Sequence, residues 1–367
     1  MLKPHLSSKP NAHSGVALVV VLLIVALVSI LATQMVSRLQ LNVVRAQNIK
    51  DNNQAYWYAL GAEQFARKSL RALATLSPGN INLSQPWAQT FEYPVDGGSI
   101  KAELIDMQSC FNLNAINSVP PSAGAGSAPA APGNSLVTPD NTPNAPTPVA
   151  NPSPVSPRNG INRLASQQAF HNLLDIVIED SFTVDTLTDS LIDWIDEDDN
   201  PSNFGAEDLD YESLPNPYLA ANSPMSSASE LRLINGISEV IQNRWLDDLL
   251  HLVCVLPEST LKLNVNTVTE KQAAVLAALL GDDIDNAQTI ISNRSPEGFS
   301  DINDFKNLPG VTQLGLTAEQ LDWFAIDTKY FKLISTTTYN DARFRLSTLF
   351  RVEDTTVTVV RREFGGY

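Results

Sequence analysis

Cysteine and histidine are nearly missing from this chain of 367 residues, which has two cysteines, Cys110 and Cys254, and four histidines. So few cysteines exclude a thiolate metal cage or a disulfide-dense scaffold. His5 and His13 precede a long apolar run, leaving His171 and His251 as thin material for a histidine-based active site. Positive charge is scarce as well. The 24 Lys and Arg face 40 Asp and Glu, a net charge of −16. That balance argues against a nucleic-acid coat or an anionic membrane surface as the main partner. The deficit is local: from Asp175 to Glu212 there are 14 carboxylates and no Lys or Arg. Such a segment is either a solvated acidic face or a site for hard cations.

Charge is also absent from Val16 to Val36, 21 residues interrupted only by Ser29, Thr33 and Gln34. As a helix this run spans roughly 30 Å, the thickness of a bilayer's hydrocarbon core. A cleaved secretory signal has a shorter apolar core of about 7–15 residues, so the run reads as a retained anchor. Lys3 and Lys9 before it place the N-terminus in the cytoplasm. From Arg38 to Leu73 there is no proline and one glycine, Gly61, and apolar residues keep helical spacing. One long helix is predicted, half in the membrane and half against a domain. In "QAYWYALGAE" (54–63), Trp57, Leu60 and Gly61 share a helix face, predicted to pack on a sheet. A subunit contact is open to whichever ring stays exposed.

A basic leader ending in Gly15, an apolar helix beginning at Val16 and an amphipathic continuation resemble type IV pilins and type II secretion pseudopilins. In those proteins a prepilin peptidase cuts after the glycine and methylates the new N-terminus, here Val16. The glutamate usual at the fifth mature position is replaced by Val20. Its absence is similar to the minor pseudopilin family called general secretion pathway protein K. "FNLN" (111–114), "DWIDEDDNP" (193–201), "GAED" (205–208) and "LNVNT" (263–267) resemble the same family in the same order.

The resemblance and the strand pattern imply an α+β, type IV pilin-like fold, a long helix against a small antiparallel sheet with a large all-helical domain inserted. Residues 1–15 are then the leader, 16–36 the membrane segment and 37–117 the first part of the pilin-like domain. Residues 118–157, with 11 prolines and one charge, read as a disordered insertion that cannot bury enough apolar surface to order itself. The helical domain is expected over 158–326. Residues 99–114 look like strand material, and C-terminal strands follow over 327–367, where 331–339, 343–353 and 355–364 alternate and are β-branched-rich, with "YNDAR" and "VEDTT" as turns.

The resemblance also decides the acidic loop. Composition alone favours a solvated surface, whereas protein K is a calcium-binding family. Expected Ca²⁺ ligands are Asp196, Asp198, Asp199, Glu207 and Asp208, although the loop lacks the EF-hand spacing. Use of the same carboxylates as a hydrolase pair is disfavoured, because nothing flanks them with apolar surface; no enzymatic activity is expected. In the periplasm Cys110 and Cys254 are expected to form one disulfide, the alternative being two buried thiols.

Residues 263–311, with "NLPGV" at 307–311, resemble helix-hairpin-helix repeats, and "SELRLINGISEVI" (229–241) is a weaker copy. This gives a second functional reading, a membrane-anchored DNA-uptake protein. Residues 281–311, however, hold six carboxylates against Arg294 and Lys306, too little positive charge for phosphate binding. A structural subdomain without nucleic-acid binding is preferred. The leading expectation is therefore a minor pseudopilin at the tip of the type II secretion pseudopilus. Its implied partners are minor pseudopilins I, J and H, the major pseudopilin, the prepilin peptidase and the inner membrane, with the C-terminal part in the periplasm.

Overall fold

The structure, a computed structural model, describes residues 14–118, 163–237 and 244–365. The leader expected over 1–15 and the insertion expected over 118–157 fall outside these residues except at their edges.

Helix α1 runs unbroken from Ser14 to Leu76, about 95 Å long at 1.5 Å per residue. It stops at Ser77-Pro78-Gly79, where Gly79 takes the left-handed φ of 75° that ends a helix. Its apolar first part is exposed among the described residues. From Asp51 onward it lies on a sheet through Ala55, Ala59, Ala62, Ala66 and Leu70, all buried. Steps of three and four put these side chains on one face, and alanine lets the helix backbone approach the strands closely. The expected packing face is thereby corrected. Trp57 is 64% exposed and Gly61 faces open space, because the small residues, not the large ones, fit the narrow gap. Tyr56 and Tyr58 are the rings that pack on the sheet, Tyr56 edge-on to Phe344 with centroids 5.4 Å apart and Tyr58 edge-on to Tyr339 at 5.9 Å.

The strands in chain order are β1 (Phe91–Val95), β2 (Gly98–Asp106), β3 (Phe111–Asn112), β4 (Val253–Cys254), β5 (Leu263–Asn264), β6 (Phe324–Ala325), β7 (Tyr330–Tyr339), β8 (Ala342–Glu353) and β9 (Thr356–Phe364). Five of them form one antiparallel sheet in the order β1-β2-β7-β8-β9. Thus strands from both ends of the sequence pair at its centre, Asp106 opposite Phe331, and everything between is an insertion. Alternation explains the register: Phe331 and Leu333 of β7 and Phe350 of β8 face α1 in a core with Leu70 and Trp87. Within this sheet β1 is the strand not expected from the sequence, as are the short β4, β5 and β6 outside it. β1 is an edge strand containing Pro94, a residue tolerated only where no ladder bond is needed.

Glu63 fixes the helix to the last strand. It is fully buried, and Arg362 of β9 donates to it from Nε at 2.6 Å and from a terminal nitrogen at 2.8 Å. Thr348 adds a hydroxyl at 3.1 Å. Burial works to raise the Glu63 pKa, but the bonds and charge of Arg362 outweigh it and hold the carboxyl below its usual range. Removing one partner strands a buried charge, so Arg362→Ala is expected to lower unfolding free energy by about 2–4 kcal/mol. An unchanged denaturant midpoint would show that the pair does not hold the helix.

The inserted part comprises α2 (Ala165–Val177), α3 (Ser181–Ile195), α4 (Asp208–Glu212), α5 (Arg244–Leu252), α6 (Ala273–Leu280), α7 (Ile284–Asn293), α8 (Ile302–Lys306), α9 (Pro309–Thr312) and α10 (Ala318–Asp322). Among the described residues its regular structure is helical apart from two parallel two-residue pairings, β3 with β4 and β5 with β6. Buried α6 lies at the centre of its core, with Phe170, Leu173 and Leu174 of α2 and Leu191 of α3. Between the two cores sits the Cys110–Cys254 disulfide, packed with Leu256, Tyr330 and Leu349. Beside it Asp106 is buried, and burial raises its carboxyl pKa to about 6 against the bonds it accepts. Thr267 and Thr328 each donate to it at 2.6 Å and Asn264 at 3.0 Å. The "LNVNT" and "FNLN" segments are therefore joints. Asn112 and Asn114 likewise bridge to residues 256 and 258 and to Met225.

Candidate metal centre

Helix α3 begins at an Asp180 cap, whose side chain accepts from the Thr183 N–H at 3.0 Å. It ends at Ile195, where Asp196 takes extended backbone. Asp185, Asp189, Asp193 and Asp196 are spaced by four, four and three, so they line one side of this helix. Its N-terminal half is neutralised. Arg163 donates to Asp185 at 3.2 Å and to Asp189 at 2.7 Å, and His171 Nε2 lies 3.0 Å from Asp185.

The C-terminal half has no such cation among the described residues. Asp193 is fully buried and accepts the Ser202 N–H at 3.1 and 3.0 Å. Burial is the main cause that raises its pKa, with Asp189 adding repulsion against the Ser202 bonds. Asp196 is pushed up to about 6 by burial, then by Asp193 and Asp198. Glu207, also buried, rises to about 7 through burial and the charges of Asp193, Asp196, Asp199 and Asp208. Both Glu207 carboxylate oxygens, Asp196 Oδ1 and Asn222 Oδ1 are buried without a hydrogen-bond partner among the described residues. Such groups cost free energy unless something positive meets them.

The five expected ligands are not equivalent. Asp196 and Glu207 form the core of the cluster, with Asp199 and Asp208 in the field around Glu207. Asp199 accepts from the Asn222 amide at 3.0 Å, and Asp208 from the Ala220 N–H at 2.9 Å, so residues 220–222 close the loop. Asp198 is exposed and turned into its own bend, accepting from Asn200 N–H and amide at 2.9 and 2.8 Å; these bonds lower its pKa. Asp193 belongs to the cluster although it is not among the five. Its helical spacing from Asp189 is the signal in the sequence that points to it.

Among the described residues no three His, Cys, Asp or Glu side chains form a metal-binding group as they stand. The orphaned oxygens nevertheless fit a hard cation: carboxylate and amide oxygens in a flexible loop are the donor set Ca²⁺ takes. The loop is held tightly on one side. A Cβ on Gly205 would lie 1.8 Å from Asp193 Oδ2 and 3.2 Å from the Asp189 carbonyl. Gly205→Ala must push the buried carboxylate aside, an overpacking expected to cost about 1–3 kcal/mol. Wild-type thermal stability for this variant would contradict the packing described.

The hairpin at 307–311 forms α9 with Pro309 at its start, and the Asn286 amide donates to the Gly310 carbonyl at 2.9 Å. The one arginine of 281–311 is not available to phosphate, since Arg294 is bonded to the Val265 and Val268 carbonyls. Of the weaker copy, residues 229–237 form a turn of 3₁₀ helix and a bend, and 238–241 lie outside the described residues.

Comparison with known proteins places the chain in a family. Two family models described as type II secretion system (T2SS), protein K, match residues 109–258 and 263–327. Type II secretion system protein K of Aeromonas hydrophila is 35% identical over 96% of this chain and 98% of its own length. The protein of the same name from Klebsiella pneumoniae is 33% identical over 97% and 98%. A crystal structure of the GspK-GspI-GspJ complex from the enterotoxigenic Escherichia coli type 2 secretion system contains a similar fold. Its TM-score is 0.68 at 24% identity, covering 88% of this chain and all of that one.

Proposed function

The chain belongs to the type II secretion system protein K family, and from that premise we propose how it works as the minor pseudopilin that caps the periplasmic pseudopilus. Export of folded proteins is then its task, and assembly its mechanism. The supporting observation is the position of the insertion. It sits on the end of the sheet marked by Asp106 and Tyr330, while α1 enters the sheet at the opposite end, near Tyr339 and Ala342. A subunit so shaped has a bulky domain where the next subunit would stack, and so suits a tip. The absence of a carboxylate at Val20 suits it too, since nothing above needs registering. The similar crystal structure is a complex of GspK with GspI and GspJ. We take the corresponding minor pseudopilins as partners here, with H and the major pseudopilin below them.

On this reading α1 is a single-pass inner-membrane anchor with a cytoplasmic N-terminus and a periplasmic domain. The prepilin peptidase removes the leader after Gly15 and methylates Val16. Asp193, Asp196, Asp199, Glu207 and Asp208 hold Ca²⁺, which neutralises the uncompensated half of the α3 carboxylate row. The DNA-uptake reading is not favoured, because Arg294 is committed to backbone carbonyls. Deleting the gene in its own host should abolish type II export, and the intact chain should restore it. Normal export without the chain would sink the proposal.

A further inference from the structure

This acidic chain contains one segment of the opposite sign. No Asp or Glu occurs before Asp51, while Arg38, Arg45 and Lys50 follow the apolar span within fourteen residues of Val36. All three are exposed, as are Leu39, Leu41, Val43, Val44 and Ile49 among them. Asp51, buried where α1 meets the sheet, is the first carboxylate after them. With the N-terminus in the cytoplasm, these cations flank the span on the outer side, against the usual excess of Lys and Arg on the cytoplasmic side. Loss of the leader removes Lys3 and Lys9 and sharpens the imbalance. An attraction to anionic groups on the outer side would offset that cost.

We propose that the neck, residues 37–50 of α1, docks on anionic phospholipid headgroups at the periplasmic face of the membrane. The inference rests on the anchor orientation given above. Along the helix axis Arg38, Arg45 and Lys50 lie about 3, 14 and 21 Å beyond Val36. The headgroup layer occupies roughly the first 5–8 Å. Arg38 sits within it, and Arg45 reaches it by bending its long side chain back toward the bilayer. Lys50 stands about 13–16 Å beyond that layer, outside one Debye length of roughly 8–10 Å, and comes within range only as the helix tilts. The exposed leucines and valines between the cations favour tilting the neck onto the interface, which brings all three closer. The apolar span is thereby held at a fixed depth until assembly draws the neck away from lipid and into the filament.

The test uses the full-length chain reconstituted in vesicles of equal phosphatidylcholine and phosphatidylglycerol. After extraction in mild non-ionic detergent, retained lipids are counted by native mass spectrometry. Retention of phosphatidylglycerol over phosphatidylcholine by roughly fivefold or more is expected, given the attraction of each basic side chain to an anionic surface. The ratio should fall toward one in the Arg38→Gln/Arg45→Gln/Lys50→Gln variant and on raising the salt. Equal retention of the two lipids by the native chain, or a preference that survives the triple substitution, would overturn the proposal. Resistance of the vesicle-bound chain to alkaline carbonate is scored in parallel. A chain that is stripped off refutes the anchor itself, whereas one that stays but shows no lipid preference refutes only the docking.

Discussion

Calcium added to the metal-stripped protein is expected to raise its unfolding temperature by about 5–10 °C near neutral pH, and by much less near pH 5. The sign follows from the carboxylates of the acidic loop. Glu207 is raised to about 7 and Asp196 to about 6 in the folded chain, and Asp193 is raised as well. A raised carboxyl pKa means the folded state holds its proton more tightly than the unfolded one. Its contribution is fully present below the ordinary carboxylate range and is lost as pH rises through 6 and 7. Without metal the protein should therefore weaken from pH 5 to 7.5. A cation that takes over from the protons reverses that loss where the carboxylates are ionised, and has little to bind where they are not.

Glu207→Gln separates this account from a solvated acidic surface. With the charge removed and the shape kept, the metal-free protein should become more stable at neutral pH while its response to Ca²⁺ shrinks severalfold. Asp198→Asn should change neither, since that side chain serves its own bend. Calorimetry on the three proteins, stripped and loaded, checks both statements. A Ca²⁺ response untouched by Glu207→Gln would place the ion elsewhere.

Reduction of the Cys110–Cys254 disulfide, or replacement of both cysteines by serine, is expected to cost about 4–5 kcal/mol. The bridge joins residues 144 apart, and closing so long a loop removes much entropy from the unfolded chain. Its position makes the effect selective. It lies between the core under α1 and the core of the inserted domain, so its loss should uncouple them. Guanidinium unfolding followed separately at Trp87 in the first core and Trp194 in the second should change from coincident to split transitions. Coincident transitions with an unshifted midpoint would mean that the buried joint around Asp106 and Asn264 suffices alone.

The parts of this molecule that are legible in the sequence are those where one physical signal acts alone. The long apolar start of α1 is written in twenty-one uncharged residues, and β7, β8 and β9 in two-residue alternation. The face of α1 that meets the sheet is not legible, because large residues at helical spacing suggest packing and alanines do not. Close approach rewards the smaller side chain, which leaves Trp57 outside. β1 is hidden by its own Pro94, whose tolerance depends on being at an edge that only the fold defines. In the acidic segment, density of charge draws attention to Asp196–Asp199, where Asp198 does little. The informative pattern is sparser: Asp189, Asp193 and Asp196 on one side of α3, with Glu207 brought back by the loop through Ser202 and Gly205. Which carboxylates lack a cation can be read only once Arg163 and His171 are placed against Asp185 and Asp189.

The tip assignment depends on one association. Purified chain should be mixed with the minor pseudopilins I and J of its own host and passed over a sizing column with light scattering. The account predicts a single 1:1:1 species whose formation survives physiological salt. A chain that elutes alone in their presence, while I and J associate with each other, would contradict it.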